Sequence, residues 1–124
     1  MANIGIIRCE KNEGRCPLTG CLKSLRGTRE GFTGYDDAEI IGIFTCKCPG
    51  DNVVPFAKIL KQKGADAIHF CTCTFAQKNE GGWVMGNGFC DHIDQIIKNT
   101  AEAVSIPCVK GTAHLPQGYK PEVF

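Results

Sequence analysis

Hydrophobic residues in this chain fall into short continuous runs separated by stretches of helical periodicity. The first run, Asn3 to Arg8, is nearly all apolar and ends at Cys9, the pattern of a strand covered on both faces. Leu18, Cys21, Leu22 and Leu25 then recur at i, i+3, i+4 and i+7. With Pro17 at its start and Gly27 at its end, this spacing predicts a short helix. A Gly-rich stretch from Gly27 to Asp37 leads to a second strand, Glu39 to Phe44. A helix of about a dozen residues follows, with Asp51 or Asn52 as cap, Pro55 in the first turn and Gly64 closing it.

The third strand is Ala67 to Phe70, and Thr74 to Phe89 reads as a glycine-rich loop suited to a mobile flap. Ile93, Ile96, Ile97, Thr100, Ala101 and Val104 form the clearest helical stripe in the chain, for which Asp91 is the expected cap. A fourth strand, Ile106 to Val109, precedes Gly111-Thr112-Ala113-His114 and a Pro-containing tail. Strands alternating with helices predict an α/β three-layer sandwich around a parallel sheet, and right-handed crossovers restrict the choices for four strands. The expected fold is flavodoxin-like or Rossmann-like with strand order 2-1-3-4. A length of 124 residues suits one domain.

This order changes the meaning of the cysteines. Cys46-Lys47-Cys48 and Cys71-Thr72-Cys73 each follow a strand, and Cys9 ends the first one. Neighbouring strands lie roughly 4.8 Å apart, which places these three groups within about 10 Å along the carboxyl edge of the sheet. That edge is where open α/β sheets bind ligands. Thiolates suit soft and borderline metals, and a structural zinc site takes four Cys or His ligands. Cys90 and His92 stand at the mouth of the last helix, where a helix N-terminus would favour a thiolate. His114 follows the fourth strand and is expected at the same edge. Cys21, Cys108 and His69 read as core residues.

Net charge is +1 and the lysines are scattered, so neither nucleic acid nor an anionic membrane is an expected partner. No run of about 18 apolar residues and no basic leader with an apolar stretch is present, which points to a soluble cytoplasmic protein. Nine cysteines cannot pair completely, and in that compartment they would be thiols or metal ligands.

Five spaced elements, taken together, resemble one family. They are Ile6-Ile7-Arg8-Cys9, Cys16-Pro17-Leu18-Thr19-Gly20-Cys21, Phe44-Thr45-Cys46-Lys47-Cys48-Pro49-Gly50, Cys90-Asp91-His92-Ile93-Asp94 and Gly111-Thr112-Ala113-His114. The chain is similar to the CGGC domain family, named for a central Cys-Gly-Gly-Cys, and residues 1–124 would form a single CGGC-like domain. The resemblance implies metal binding, with zinc the expected ion, and carries over to Cys9, Cys46, Cys48, Cys90, His92 and His114. Cys71 and Cys73 join that set through position alone. In place of the family's motif this chain has Cys46-Lys47-Cys48, one residue shorter, which strains chelation and disfavours an internal disulfide. The alternatives are a thiol redox or sulfur-transfer enzyme using Cys90, an iron–sulfur cluster protein, and a small-molecule binder whose cysteines only pack.

Overall fold

A computed structural model describes residues 1–124. The first apolar run forms β1 (Ala2–Cys9), followed by a single helical turn, α1 (Glu10–Glu13), and by α2 (Thr19–Arg26). Next come β2 (Ala38–Cys46), α3 (Val53–Gln62) and β3 (Ala67–Phe70). The remainder comprises β4 (Ala76–Asn79), β5 (Gly82–Met85), α4 (Ile93–Val104), β6 (Cys108–Lys110) and β7 (Glu122–Val123). β2, β1, β3 and β6 lie side by side in that order and are parallel, as the expected 2-1-3-4 arrangement requires. The tail adds β7 antiparallel to β6, so the sheet is mixed and has five strands instead of four.

Alternation along the strands separates two cores. Ile4, Ile6, Ala67 and Cys71 face α2 and pack with Leu18, Cys21, Leu25 and Phe32. Ile7, Ile68, Phe70 and Cys108 face the other way, against Val53, Ala57 and Leu60 of α3 and Ile93, Ile96, Ile97 and Val104 of α4. This is the α/β three-layer sandwich, with α2 on one side and α3 and α4 on the other. The stripe on α4 is wholly buried except for Ala101, which is partly exposed. His69 is a core residue, as expected. Its ring packs on Phe32 at 4.4 Å between centroids, and its nitrogens lie 2.8 Å from the Tyr35 hydroxyl and 3.0 Å from the Gly111 carbonyl.

Three local expectations are corrected. Residues 74–89 are not an irregular loop, because β4 and β5 pair as an antiparallel hairpin. Each strand is only four residues long, and β4 is mostly polar, so neither shows an alternating pattern long enough to mark a strand. The cap of α4 is at His92, and no side chain caps it, since Asp91 Oδ1 is engaged with His92 Nδ1 at 2.9 Å. Asn52 stands at the cap position of α3 but its side chain turns back, accepting from Lys47 N–H and donating to Thr45 C=O at 2.9 Å.

Candidate functional site

All nine cysteines are free thiols. The sheet sorts those at its carboxyl edge into two groups. Cys9 and Cys46 are direct register partners at the ends of β1 and β2, and both lie on the α3–α4 side. β2 runs two residues further than its apolar run suggests, so Cys46 closes the strand and only Cys48 lies beyond it. Cys48 is exposed, its N–H donates to Glu10 Oε1 at 3.1 Å, and the peptide bond to Pro49 is cis. Cys90 arrives from the α4 side. Burial pushes the Cys46 thiol up to about 12, with the charges of Cys9, Cys90 and Cys48 adding to it. Burial also raises Cys9 and Cys90, and the charge of Cys48 adds to each.

Cys90 lies three residues before α4, outside the first turn that would favour a thiolate. Its thiol is therefore raised by burial, the reverse of the expected helix-end activation. His92 holds this corner together: Nδ1 meets Asp91 Oδ1 and Nε2 meets the Pro49 carbonyl oxygen, both at 2.9 Å. The bond to Asp91 raises the imidazole above its ordinary value, favouring the form in which both nitrogens donate. To ligate a metal, His92 would have to release one of these acceptors.

The second group lies on the α2 side. Cys71 follows β3, and a helical turn over 72–74 carries the chain to Cys73. Cys71, Cys21 and Cys73 pack in one cluster, and sharing the single Cys71 proton with its two neighbours raises Cys71 and lowers Cys21 and Cys73. Cys21 is brought down to about 7, with the Thr112 hydroxyl, 3.1 Å from its sulfur, contributing. Cys73 also receives a hydrogen bond from Asn12. The turn is fixed by a reciprocal pair, Thr72 N–H to Thr112 Oγ1 at 3.3 Å and Thr112 N–H to Thr72 Oγ1 at 3.1 Å. Cys21 was expected to be core and is both buried and engaged. The signal for it was Cys16-Pro17-Leu18-Thr19-Gly20-Cys21, where Cys21 occupies the sheet-facing stripe of α2. Thr112 lies in the Gly111-Thr112-Ala113-His114 element, which does not mark it as a partner of Cys21, and Asn12 carries no sequence signal.

Cys9 bridges the two groups, since the charge of Cys73 also raises it. His114 stays apart from the thiols: its ring stacks on Trp83 at 5.2 Å and 9°, beside Gly20. Cys16 accepts from Leu18 N–H at 3.4 Å, and Cys108 is buried in β6 as expected. Residues 88–90 run close beside 73–75, with Phe89 N–H bonded to Cys73 C=O and Cys90 N–H to Thr74 C=O. Gly88 is required there, because a Cβ would stand 2.5 Å from Phe75 N.

Four thiols form a donor set chemically suited to zinc. As arranged, however, no three His, Cys, Asp or Glu side chains are gathered closely enough to hold a metal ion. No helix is long and apolar enough to cross a membrane.

No solved structure matches the chain. An uncharacterized protein of Methanocaldococcus jannaschii is 35% identical over 118 residues, covering 88% of this chain and 84% of that protein. The CGGC domain matches residues 3–113, a span that includes both thiol groups. On that match and on this relative, the chain belongs to the CGGC domain family.

Proposed function

We propose that this chain is a metal-binding domain that takes one thiophilic divalent ion, zinc, between Cys9, Cys46, Cys48 and Cys90. The observation that carries the reading is the convergence of these thiols from β1, β2, the 47–50 turn and the approach to α4. Their mutual repulsion as thiolates is what a bound dication would relieve. Cys48 is exposed and Cys90 half-buried, so binding the ion would draw these two thiols in toward Cys9 and Cys46. His92 holds the Cys90 segment to Pro49 and acts by positioning.

The test is elemental analysis of protein purified without added metal, followed by zinc titration of chelator-treated protein. One equivalent of zinc is expected, with affinity rising with pH as the thiols deprotonate. Cys46→Ser and Cys90→Ser should each lose the ion, and Cys71→Ser should keep it. Absence of stoichiometric metal, together with a fold indifferent to chelators, overturns the reading. Iron and sulfide with visible absorption would replace zinc by an iron–sulfur cluster.

A further inference from the structure

The thiols of the α2 side are not needed for the metal reading, and they adjoin a cavity. Cys73 is half-buried and lines a cleft of about 470 Å³ formed with Asn12, Arg15, Lys78, Trp83 and Phe89. That volume is in the range of small-molecule sites. Arg15 and Lys78 supply positive charge, and no acidic side chain lines the cleft. Arg15 is held over the Phe89 ring at 5.5 Å, so its guanidinium has a fixed place. Behind Cys73 the thiols continue inward, with Cys71 1% exposed and Cys21 9% exposed. The three cysteines belong to one packed cluster, with Cys73 at the cationic cleft and Cys71 and Cys21 in the core behind it.

We propose that Cys73, Cys71 and Cys21 form a thiol–disulfide relay whose substrate is an anionic low-molecular-weight disulfide bound in the Arg15–Lys78 cleft. The Cys73 thiolate attacks one sulfur of the incoming disulfide, breaking its S–S bond. One half leaves as a thiolate and takes a proton from solvent. The Cys71 sulfur then attacks the Cys73 sulfur, and its proton passes to the second half of the substrate, which leaves as a thiol. A disulfide between Cys71 and Cys73, with one residue between them, is strained and readily exchanged. Cys21 then attacks the Cys71 sulfur, releasing Cys73 as a thiolate and leaving the Cys21–Cys71 disulfide buried. In sum, two protein thiols lose two electrons and two protons, and the small disulfide departs as two thiols.

The proton arrangement matches these roles. Of the three clustered thiols, Cys71 retains its proton, and the attacking Cys73 and the final acceptor Cys21 are the two whose thiolates are favoured. Asn12 stabilises the Cys73 thiolate on the cleft side. Thr72 and Thr112 fix the turn that carries Cys71 and Cys73.

The experiment treats the reduced full chain with oxidised glutathione, an anionic disulfide, and in parallel with cystamine, a cationic one, and maps the products by peptide mass spectrometry. A Cys21–Cys71 disulfide should accumulate while Cys9, Cys46, Cys48 and Cys90 remain reduced. Oxidised glutathione should react about tenfold faster than cystamine, and Arg15→Gln with Lys78→Gln should remove that preference. Cys71→Ser should trap glutathione on Cys73. The wild-type map decides the matter even if that variant folds poorly. The relay is overturned if the disulfide forms among Cys9, Cys46, Cys48 and Cys90, or if glutathione attaches to exposed Cys48 in preference to Cys73. Equal rates with the two probes overturn the substrate class.

Discussion

Two faces of one sheet carry thiols at the same edge, yet they give those thiols different surroundings. On the α3–α4 face, Cys9 and Cys46 are adjacent and partly or fully buried, and no hydrogen-bond donor stabilises a negative charge on Cys46. Burial therefore dominates and raises them both. On the α2 face burial is at least as deep, but Cys71, Asn12 and Thr112 supply hydrogen bonds to Cys21 and Cys73. There the hydrogen bonds win and two of the three thiols are lowered. The lesson is that burial alone does not set a cysteine's chemistry. On one face burial and neighbouring thiols set the cysteines, whereas on the other hydrogen bonds do.

The largest test of this asymmetry uses the histidine of the satisfied face. His69 is fully buried between Tyr35 and Gly111, and burial brings it from 6.5 down to about 4. A base whose folded value is depressed contributes stability that is complete above its unfolded value and drains away as the pH falls toward the folded one. Integrating from 6.5 to about 4 gives a loss of about 3 kcal/mol by pH 4. Urea unfolding of wild type and His69→Gln across this range should show the wild type losing that much more than the variant, because glutamine does not titrate. Parallel curves would mean that the α2 face accepts a proton freely and is not the closed region described here.

How far the two faces were legible in the sequence follows from the same distinction. The parallel strands and α4 were legible because continuous apolar runs and a 3.6-residue stripe report burial directly. Cys9, Cys46, Cys71 and Cys73 were placed at the sheet edge by strand ends and strand order. What strand ends do not report is the face, since one residue of register moves a side chain across the sheet. Cys46 and Cys71 therefore looked like parts of one site although they point to opposite sides. Cys21 looked like packing because its helical stripe is apolar, and the bond to Thr112 spans 91 residues. His114 was drawn to the edge by its position after β6, but its positive φ of 53° turns it toward Trp83. The hairpin of β4 and β5 and the short β7 depend on pairing partners more than on pattern.

A second test sets the thiols against each other in metal-free protein. Cys71→Ala removes a thiol that is 1% exposed and packed against Cys21 and Cys73, and should cost about 1–2 kcal/mol in urea unfolding. Cys46→Ala removes a half-buried thiol whose neighbours are other thiols, and should cost about 0.5 kcal/mol. With saturating zinc the order should reverse, because Cys46→Ala then also forfeits the ion's stabilisation. An unchanged order in zinc would remove the functional half of the comparison and leave only the packing half.

The smallest effect concerns a cation that the α4 face already contains. Lys110 ends β6 with its side chain 7% exposed, 2.7 Å from Asp94 and 4.0 Å from Glu122, over the Phe75 ring. Lys110, Asp94 and Cys90 line one cavity of about 480 Å³, so the balance of charge there is felt by an ion approaching Cys90. Asp94 is largely exposed, and its pairing is screened. Asp94→Asn should therefore lower stability by only about 1 kcal/mol, mostly through a buried ammonium left with a weaker partner. The same change unmasks the Lys110 charge and should weaken zinc binding about threefold at low salt, less at high salt. Alkylation of Cys73 should be unaffected, because that thiol opens on the other cavity. If Asp94→Asn altered both readouts equally, the sheet would not insulate the two groups. Cys9, which feels the charges of both Cys48 and Cys73, would then be the place where they communicate.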